Sequence, residues 1–212
     1  MKSISSKKLK GNILIPGDKS ISHRLVILSS VAIGNSKING LLKSDDVMRT
    51  VEAMRGFGAS INLSNPSNCF INGIGLGGLA EPKTALDFGN SGTSARLIMG
   101  LSSSHPITTL FVGDSSLSMR PMRRVLKPLI NFGSSFSLRE DEFLPAILKG
   151  SVSPIPFIFN LDEPSAQIKS AVLLGALNTP GITIVRDKFN TRDHTERLLE
   201  LYGANINVKR KK

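Results

Sequence analysis

Gly17-Asp18-Lys19-Ser20-Ile21-Ser22-His23-Arg24 is the stretch of sequence that decides the fold prediction. It follows the short β-prone run 13–15 and leads into an apolar helical run. Lys19, Ser20 and Arg24 are therefore predicted at a turn from a strand into a helix. A helix start offers unpaired backbone N–H groups and a partial positive charge, which favours an anion such as phosphate. Taken alone, the stretch fits a capped helix with exposed basic residues equally well.

A glycine motif recurs three times along the chain. Gly58, Gly133 and Gly203 each follow an apolar helical stretch and precede a β-prone run, at intervals of about 70–75 residues. Predicted strands and helices recur at the same spacing, which indicates an α/β fold of three β-α-β-α-β-β units. We expect these units at about 13–80, 81–152 and 153–212 of a single domain, 1–212.

The predicted elements occupy equivalent places in the three units. First strands are expected at 13–15, 86–88 and 157–161, and first helices from Ser20, Gly92 and Ser165. Second strands are expected at 37–42, 107–112 and 182–185, and second helices at 45–55, 121–131 and 192–201. Last strands are expected at 70–73 and 145–150. The last strand of the third unit should fall at about 215–220, so that unit is expected to be incomplete.

Composition narrows the class of protein. The chain carries 27 Lys+Arg against 16 Asp+Glu, a formal charge of +11, which suggests an anionic partner. Ten Phe, one Tyr and no Trp provide little stacking surface, which argues against a single-strand nucleic-acid binder. No apolar run approaches the ~20 residues that span a bilayer, and no signal peptide is recognised. The single cysteine, Cys69, excludes internal disulfides and cysteine-based metal clusters, so we expect a cytoplasmic protein without a membrane partner.

Polar groups are predicted at further helix starts. The stretches are 87–96, 113–124 with Pro121 as the first helical residue, 163–170 and 191–196. A literal G-x-G-x-x-G at 73–78 precedes no long apolar helix and is interpreted as a connection between units. No carboxylate pair stands out as general acid and base, and the aspartates at 18, 45, 46 and 114 are expected to serve as caps or ion-pair partners.

Five of these motifs together resemble the 5-enolpyruvylshikimate-3-phosphate synthase family. They are Pro-Gly-Asp-Lys-Ser-Ile-Ser-His-Arg at 16–24, Gly-Asn-Ser-Gly-Thr at 89–93, Met-Arg-Pro-Met at 119–122, Ser-Ala-Gln-Ile-Lys-Ser at 165–170 and Thr-Arg-Asp-His-Thr at 191–195. They follow the family's order and cover nearly the whole chain. The resemblance implies an inside-out α/β barrel domain and the N-terminal half of a two-domain enzyme, with a strand of the second domain within 1–12.

The resemblance also implies a reaction and its residues. The family transfers the enolpyruvyl group of phosphoenolpyruvate to shikimate 3-phosphate, on the route to chorismate and aromatic amino acids, without metal or organic cofactor. Shikimate 3-phosphate would be bound by Ser20, Arg24, Ser165 and Ala166, with Arg192 as an addition, and phosphoenolpyruvate by Lys19, Gly92, Arg120 and Gln167. Of the reaction centre only Lys19 lies in this chain, because the family's acidic catalytic residues belong to the second half. We therefore expect no appreciable turnover by this chain alone.

Glyphosate occupies the phosphoenolpyruvate site in that family. Gly92 stands where insensitive members tend to carry a larger residue, so the resemblance implies that a complete version would be inhibited.

Three other interpretations remain open. UDP-N-acetylglucosamine enolpyruvyl transferases share the fold but typically carry a cysteine in the loop that here runs from Asp114 to Met119, which has none. RNA 3′-phosphate cyclases share the repeat and suit the positive charge, but their histidine nucleophile has no evident counterpart. A non-catalytic remnant that binds anions or nucleic acid is the third, and salt-dependent DNA binding without shikimate 3-phosphate binding would favour it.

Overall fold

A computed structural model describes residues 8, 10–13, 15–65 and 67–209. Within these residues, six α-helices and three β-sheets form three consecutive units. The confirmed α/β class follows from the alternation of apolar helical runs with short β-prone runs.

The first unit has a three-stranded antiparallel sheet. Its elements are helix α1 (Lys19–Val31), strand β1 (Ile33–Asn39), helix α2 (Asp45–Gly56), strand β2 (Ser60–Asn62) and strand β3 (Asn68–Ile74). The strand order is β1-β3-β2, with Ile33 opposite Ile74 and Ile61 opposite Ile71.

The second unit has four strands in its sheet. Its elements are β4 (Leu86–Asp87), α3 (Gly92–Ser102), β5 (Thr108–Val112), α4 (Arg123–Leu129), β6 (Ser135–Arg139) and β7 (Phe143–Lys149). The strand order is β4-β5-β7-β6, in which only β4 and β5 are parallel. This unit therefore shows the full β-α-β-α-β-β arrangement.

The third unit has two parallel strands within the described residues. Its elements are β8 (Ile158–Asn160), α5 (Ala166–Ala176), β9 (Ile184–Arg186) and α6 (His194–Leu201). The second helices α2, α4 and α6 are each followed by the repeated glycine with a positive φ, of 101° at Gly58, 92° at Gly133 and 76° at Gly203. The glycine repeat thus corresponds to three equivalent turns that favour glycine.

The sheets enclose the first helices α1, α3 and α5. In α3, 10 of its 11 residues are buried, whereas β7 alternates buried and exposed side chains. A helix that is buried nearly all round belongs to the inside of a fold, and an alternating strand covers it with one face. This arrangement confirms the inside-out α/β barrel class.

The backbones of helices α3 and α5 contact each other where the two helices cross. A methyl group added at Gly100 would lie 2.3 Å from the carbonyl oxygen of Ala171, and one at Gly175 would lie 3.0 Å from the carbonyl oxygen of Gly100. Any side chain larger than hydrogen would separate the two helices at this crossing.

The sequence-based predictions are wrong for three segments: the strand at 13–15, the start of the helix at Pro121 and the strand after Gly203. Ile13 and Ile15 are not in a strand and are 87% and 82% exposed, since no described strand pairs with them. Helix α4 begins at Arg123 rather than at Pro121, because the first helical hydrogen bonds go to the carbonyl oxygen of Met122.

No strand follows Gly203, although the sequence pattern predicts one. The equivalent strands β2 and β6 pair only with β3 and β7, and no such partner strand occurs in the described part of the third unit. The strand expected within 1–12 falls largely outside the described residues, and 8 and 10–12 are not in a strand.

We predict that Gly100→Ala lowers the free energy of unfolding by about 1–3 kcal/mol, because the added methyl group forces α3 away from α5. Gly77→Ala is the matched control, since nothing lies within 4 Å of the added methyl group there. It should change stability by less than about 0.5 kcal/mol. Urea unfolding of both variants measures the difference, and equal values would contradict the close crossing.

Candidate anion-binding site

Two of the first helices start side by side. Thr93 and Gln167 are the second residues of α3 and α5, and the Gln167 amide nitrogen donates to Thr93 Oγ1 at 2.9 Å. Ser91 and Ser165 cap these helices by accepting hydrogen bonds from the backbone N–H groups of the third residues. Two partial positive charges therefore meet at one end of the domain.

Arginine side chains surround this α3–α5 junction. Arg96, only 6% exposed, donates from Nη1 to Gln167 Oε1 at 2.9 Å and from Nη2 to the carbonyl oxygen of Pro121. Arg120 donates to the side chain and carbonyl oxygen of Asn90. A methyl group at Gly92 would lie 3.0 Å from Arg96 Nη1 and 3.4 Å from Arg120 Nη1, so both guanidinium groups face this glycine.

A second arginine group lies where α1 meets α5 and α6. Arg24, 5% exposed, donates from Nε to Thr195 Oγ1 at 2.6 Å, from Nη2 to Ser170 Oγ at 2.8 Å and from Nη1 to the carbonyl oxygen of Ser20 at 2.9 Å. Arg192 reaches the same turn, with Nη1 3.4 Å from Ser20 Oγ. These contacts place the start of α1 beside the start of α6.

Helix α5 joins the two arginine groups. Its second residue, Gln167, contacts Arg96, while Ser170, one turn later, accepts from Arg24 and donates to the carbonyl oxygen of Ala166. Ser165 and Ala166 thus directly precede the residue that contacts Arg96, and the carbonyl oxygen of Ala166 is hydrogen-bonded to the residue that contacts Arg24.

Lys19 takes a different partner. Its ammonium group forms an ion pair with Asp46 of α2 at 2.8 Å, and its side chain is half exposed. A ligand at this lysine would have to compete with Asp46 or draw the flexible side chain away from it.

The clustered cations repel one another. Burial, together with the charges of Arg124 and Arg120, lowers the pKa of Arg96 to about 10. Burial, together with the charge of Arg192, likewise lowers the pKa of Arg24 to about 10. Both guanidinium groups stay charged at neutral pH, so an anion bound beside either one would relieve the repulsion within that arginine group and bind favourably.

A buried chain of polar side chains ties three helices together behind the site. His23 Nδ1 of α1 lies 2.6 Å from Thr50 Oγ1 of α2, which lies 2.7 Å from Ser94 Oγ of α3. Burial lowers the pKa of His23 to about 4, against the opposing effect of Asp46. His23 is therefore neutral at pH 7 and helps to fix the relative positions of α1, α2 and α3.

Comparison with known proteins identifies the family. Residues 4–212 match the family EPSP synthase (3-phosphoshikimate 1-carboxyvinyltransferase). The 3-phosphoshikimate 1-carboxyvinyltransferase of Parvibaculum lavamentivorans is 51% identical over 203 residues, which are 96% of this chain and 45% of the relative. The chain belongs to the EPSP synthase family. The corresponding protein of Zymomonas mobilis is 52% identical over 200 residues, 94% of this chain and 44% of that protein.

A solved structure agrees with this membership of the EPSP synthase family. EPSP synthase from Acinetobacter baumannii superposes with a TM-score of 0.89 at 38% identity, over 94% of this chain and 45% of that one. The chain therefore spans a little under half the length of the relatives it matches.

The structure brings most of the predicted site residues of this EPSP synthase family member into two neighbouring groups. Ser20, Arg24 and Arg192 meet at the start of α1, and Gly92, Arg120 and Gln167 meet around Arg96. Lys19 is turned to Asp46 instead. Among the described residues, no group of three or more His, Cys, Asp or Glu side chains is arranged to hold a metal ion, and no helix is long and apolar enough to cross a membrane.

Sequence reasoning missed Arg96 as a central residue. Its position one helical turn after Gly92 would have placed it on the same face of α3, and that spacing is the signal that could have identified it. The roles of Asn90 and Thr93 as partners of Arg120 and Gln167 depend on contacts between distant segments, which the sequence pattern does not show.

We predict that acid destabilises the domain through His23. The unfolded histidine takes up a proton near pH 6.5 and the folded one only near pH 4, so the stabilisation is complete above pH 6.5 and is lost between pH 6.5 and 4. The loss should amount to at most about 3 kcal/mol.

Urea unfolding at several pH values measures this loss. His23→Gln should remove most of the slope between pH 6.5 and 4, whereas the control His194→Gln should keep it. An unchanged slope in His23→Gln would contradict a neutral, buried His23.

Proposed function

We propose that this chain forms the substrate-binding wall for the transfer of the enolpyruvyl group from phosphoenolpyruvate to shikimate 3-phosphate. The main support is the meeting of the starts of α3 and α5 with the guanidinium groups of Arg96 and Arg120, and the second arginine group around the buried Arg24 at the start of α1. Such a surface suits ligands with several negative charges, and both substrates carry a phosphate and a carboxylate. The relatives' shared name, 3-phosphoshikimate 1-carboxyvinyltransferase, supports the same reaction.

The two arginine groups suggest which substrate binds where. We assign shikimate 3-phosphate to the group at the start of α1 and to the cap of α5, and phosphoenolpyruvate to the group around Arg96. The first set comprises Ser20, Arg24, Ser165, Ala166 and Arg192, and the second comprises Lys19, Gly92, Arg120 and Gln167. In this proposal the two sites share helix α5, so the substrates would bind next to each other.

The reaction joins the 5-hydroxyl oxygen of shikimate 3-phosphate, which gives up its proton, to C2 of phosphoenolpyruvate while C3 takes up a proton. Phosphate then leaves the tetrahedral intermediate, and C3 gives up a proton to restore the double bond. The described residues hold cations and N–H donors that can stabilise the charges of these steps.

We assign the acid–base residues to the remainder of the relatives' length. A second domain would be the partner that completes the site, and closure of two walls would exclude water. This chain alone should therefore bind substrates and turn them over at no appreciable rate. We also propose the cytoplasm as its compartment, since its one cysteine, Cys69, is buried and unpaired.

Calorimetric titration tests the proposed binding. The chain should bind shikimate 3-phosphate, and phosphoenolpyruvate should bind more tightly once shikimate 3-phosphate is present. Arg120→Ala should weaken phosphoenolpyruvate binding by about tenfold or more, because a charge-assisted hydrogen bond is lost. Arg123→Ala is the matched control, since Arg123 pairs with exposed Asp141 outside the site, and it should leave binding within about twofold.

Two results would contradict the proposal. One is binding of DNA that falls steeply with salt, together with no binding of shikimate 3-phosphate, which would favour the nucleic-acid alternative. The other is steady-state release of phosphate by this chain alone, which would contradict the assignment of the acid–base residues to another domain.

We predict that Gly92→Ala weakens phosphoenolpyruvate binding while leaving the fold intact. The added methyl group meets side-chain atoms and no backbone: the ends of Arg96 and Arg120, at 3.0 and 3.4 Å, and the Leu117 side chain at 3.4 Å, all of which can shift slightly. Their displacement should cost about 1 kcal/mol of binding, or roughly fivefold in affinity. Calorimetry should show no comparable loss for shikimate 3-phosphate, and equal losses for both substrates would contradict the assignment of Gly92.

A further inference from the structure

Lys169 of α5 holds a buried ammonium group between two carboxylates. The residue is 4% exposed, and Nζ donates to Asp187 Oδ2 and to the carbonyl oxygen of Thr191, each at 3.1 Å, and forms an ion pair with Glu196 Oε1 at 2.7 Å. Each of these three contacts is made to a residue of the loop after β9 or of α6. None of the sequence motifs assigns a role to this lysine.

Asp187 organises the loop between β9 and α6. Its Oδ1 accepts from the backbone N–H of Phe189 at 2.9 Å, and its Oδ2 accepts from both the N–H and the hydroxyl of Thr191, at 2.9 and 2.7 Å. Burial opposes ionisation of this carboxyl group, but hydrogen bonds from Thr191 and Lys169 lower its pKa to about 2. The loop is thus wrapped around a carboxylate that Lys169 neutralises.

The loop carries Arg192, the residue directly after Thr191. The Lys169 ammonium group therefore holds the backbone next to Arg192 from one side, through Thr191 and Asp187. It also holds the first turn of α6 through Glu196. Arg192 itself is exposed, and its guanidinium group reaches across to Ser20 Oγ at 3.4 Å.

We infer that Lys169 is a positioning residue that sets the loop 187–193 and thereby places the guanidinium group of Arg192 at the start of α1. The inference rests on the proposed function, because Arg192 is assigned there to shikimate 3-phosphate. Lys169 does not touch the substrate in this proposal. It acts by pairing two carboxylates, which would otherwise be left buried without a cation and would push the loop and α6 apart.

Lys188 offers a matched control within the same loop. It is exposed, and its Nζ lies over the Phe189 ring, 5.1 Å from the centroid. Lys188→Met removes one positive charge near Arg192, as Lys169→Met does, without removing a loop anchor. It therefore separates the positioning effect of Lys169 from a general loss of positive charge.

The test combines Lys169→Met with Arg192→Ala and measures shikimate 3-phosphate binding by calorimetry. Each single variant should lose about tenfold in affinity, and the double variant should lose no more than Arg192→Ala alone, because Lys169 acts through Arg192. Lys188→Met should stay within about twofold. Losses that multiply in the double variant, or full affinity in Lys169→Met, would overturn the inference.

Asp187→Asn covers the case in which Lys169→Met does not fold. This variant leaves Lys169 paired with Glu196 but removes the carboxylate that anchors the loop. It should weaken shikimate 3-phosphate binding in the same way and show the same lack of additivity with Arg192→Ala. Full affinity in a folded Asp187→Asn variant would contradict the inference.

Amide hydrogen exchange separates this inference from the proposed function. In the ligand-free chain, the Thr191 amide should be protected, and Asp187→Asn should remove that protection while Lys188→Met keeps it. If the native chain binds no shikimate 3-phosphate, the proposed function fails, and the exchange result alone decides whether Lys169 and Asp187 hold the loop. Unchanged protection of Thr191 in Asp187→Asn would then show that the Lys169–Asp187 pair does not hold the loop.

Discussion

The close crossing of α3 and α5 is the contact from which the geometry of the site follows. Gly100 and Gly175 let the two backbones touch. Both helices run in the same direction, so their starts lie side by side. The carboxamide of Gln167 then bridges Arg96 and Thr93. Two glycines that carry no functional group of their own therefore position the polar groups of the site.

Burial of like charges is the cost of this arrangement. Arg24 and Arg96 lie within the protein and near further arginines, and the lowered pKa of each records that unfavourable environment. Hydrogen bonds to serine, threonine and carbonyl oxygens offset part of the desolvation but supply no negative charge. A ligand with a phosphate or carboxylate supplies it, so the same repulsion that weakens the free domain favours anion binding.

The sequence pattern could predict the parts of the fold that depend on neighbouring residues. Asp18 and Ser165 are recognisable as helix caps, and the repeated glycines predict equivalent turns, because capping and positive φ are local properties. The strand expected at 13–15 fails because a strand needs a partner that the local pattern cannot guarantee. Lys169 could not be identified from sequence, since its importance comes from acceptors on a loop and a helix that follow it at a distance.

The central claim is that the starts of α1 and α5 form one anion site, and a ¹H–¹⁵N NMR titration of the native chain with shikimate 3-phosphate tests it most directly. The account predicts saturable shifts of the backbone amides of Ser20 and Ala166 with a common dissociation constant, while amides of the outer strand β7 stay unchanged. Shifts scattered over the basic surface, or none at Ser20 and Ala166 while other amides move, would contradict it.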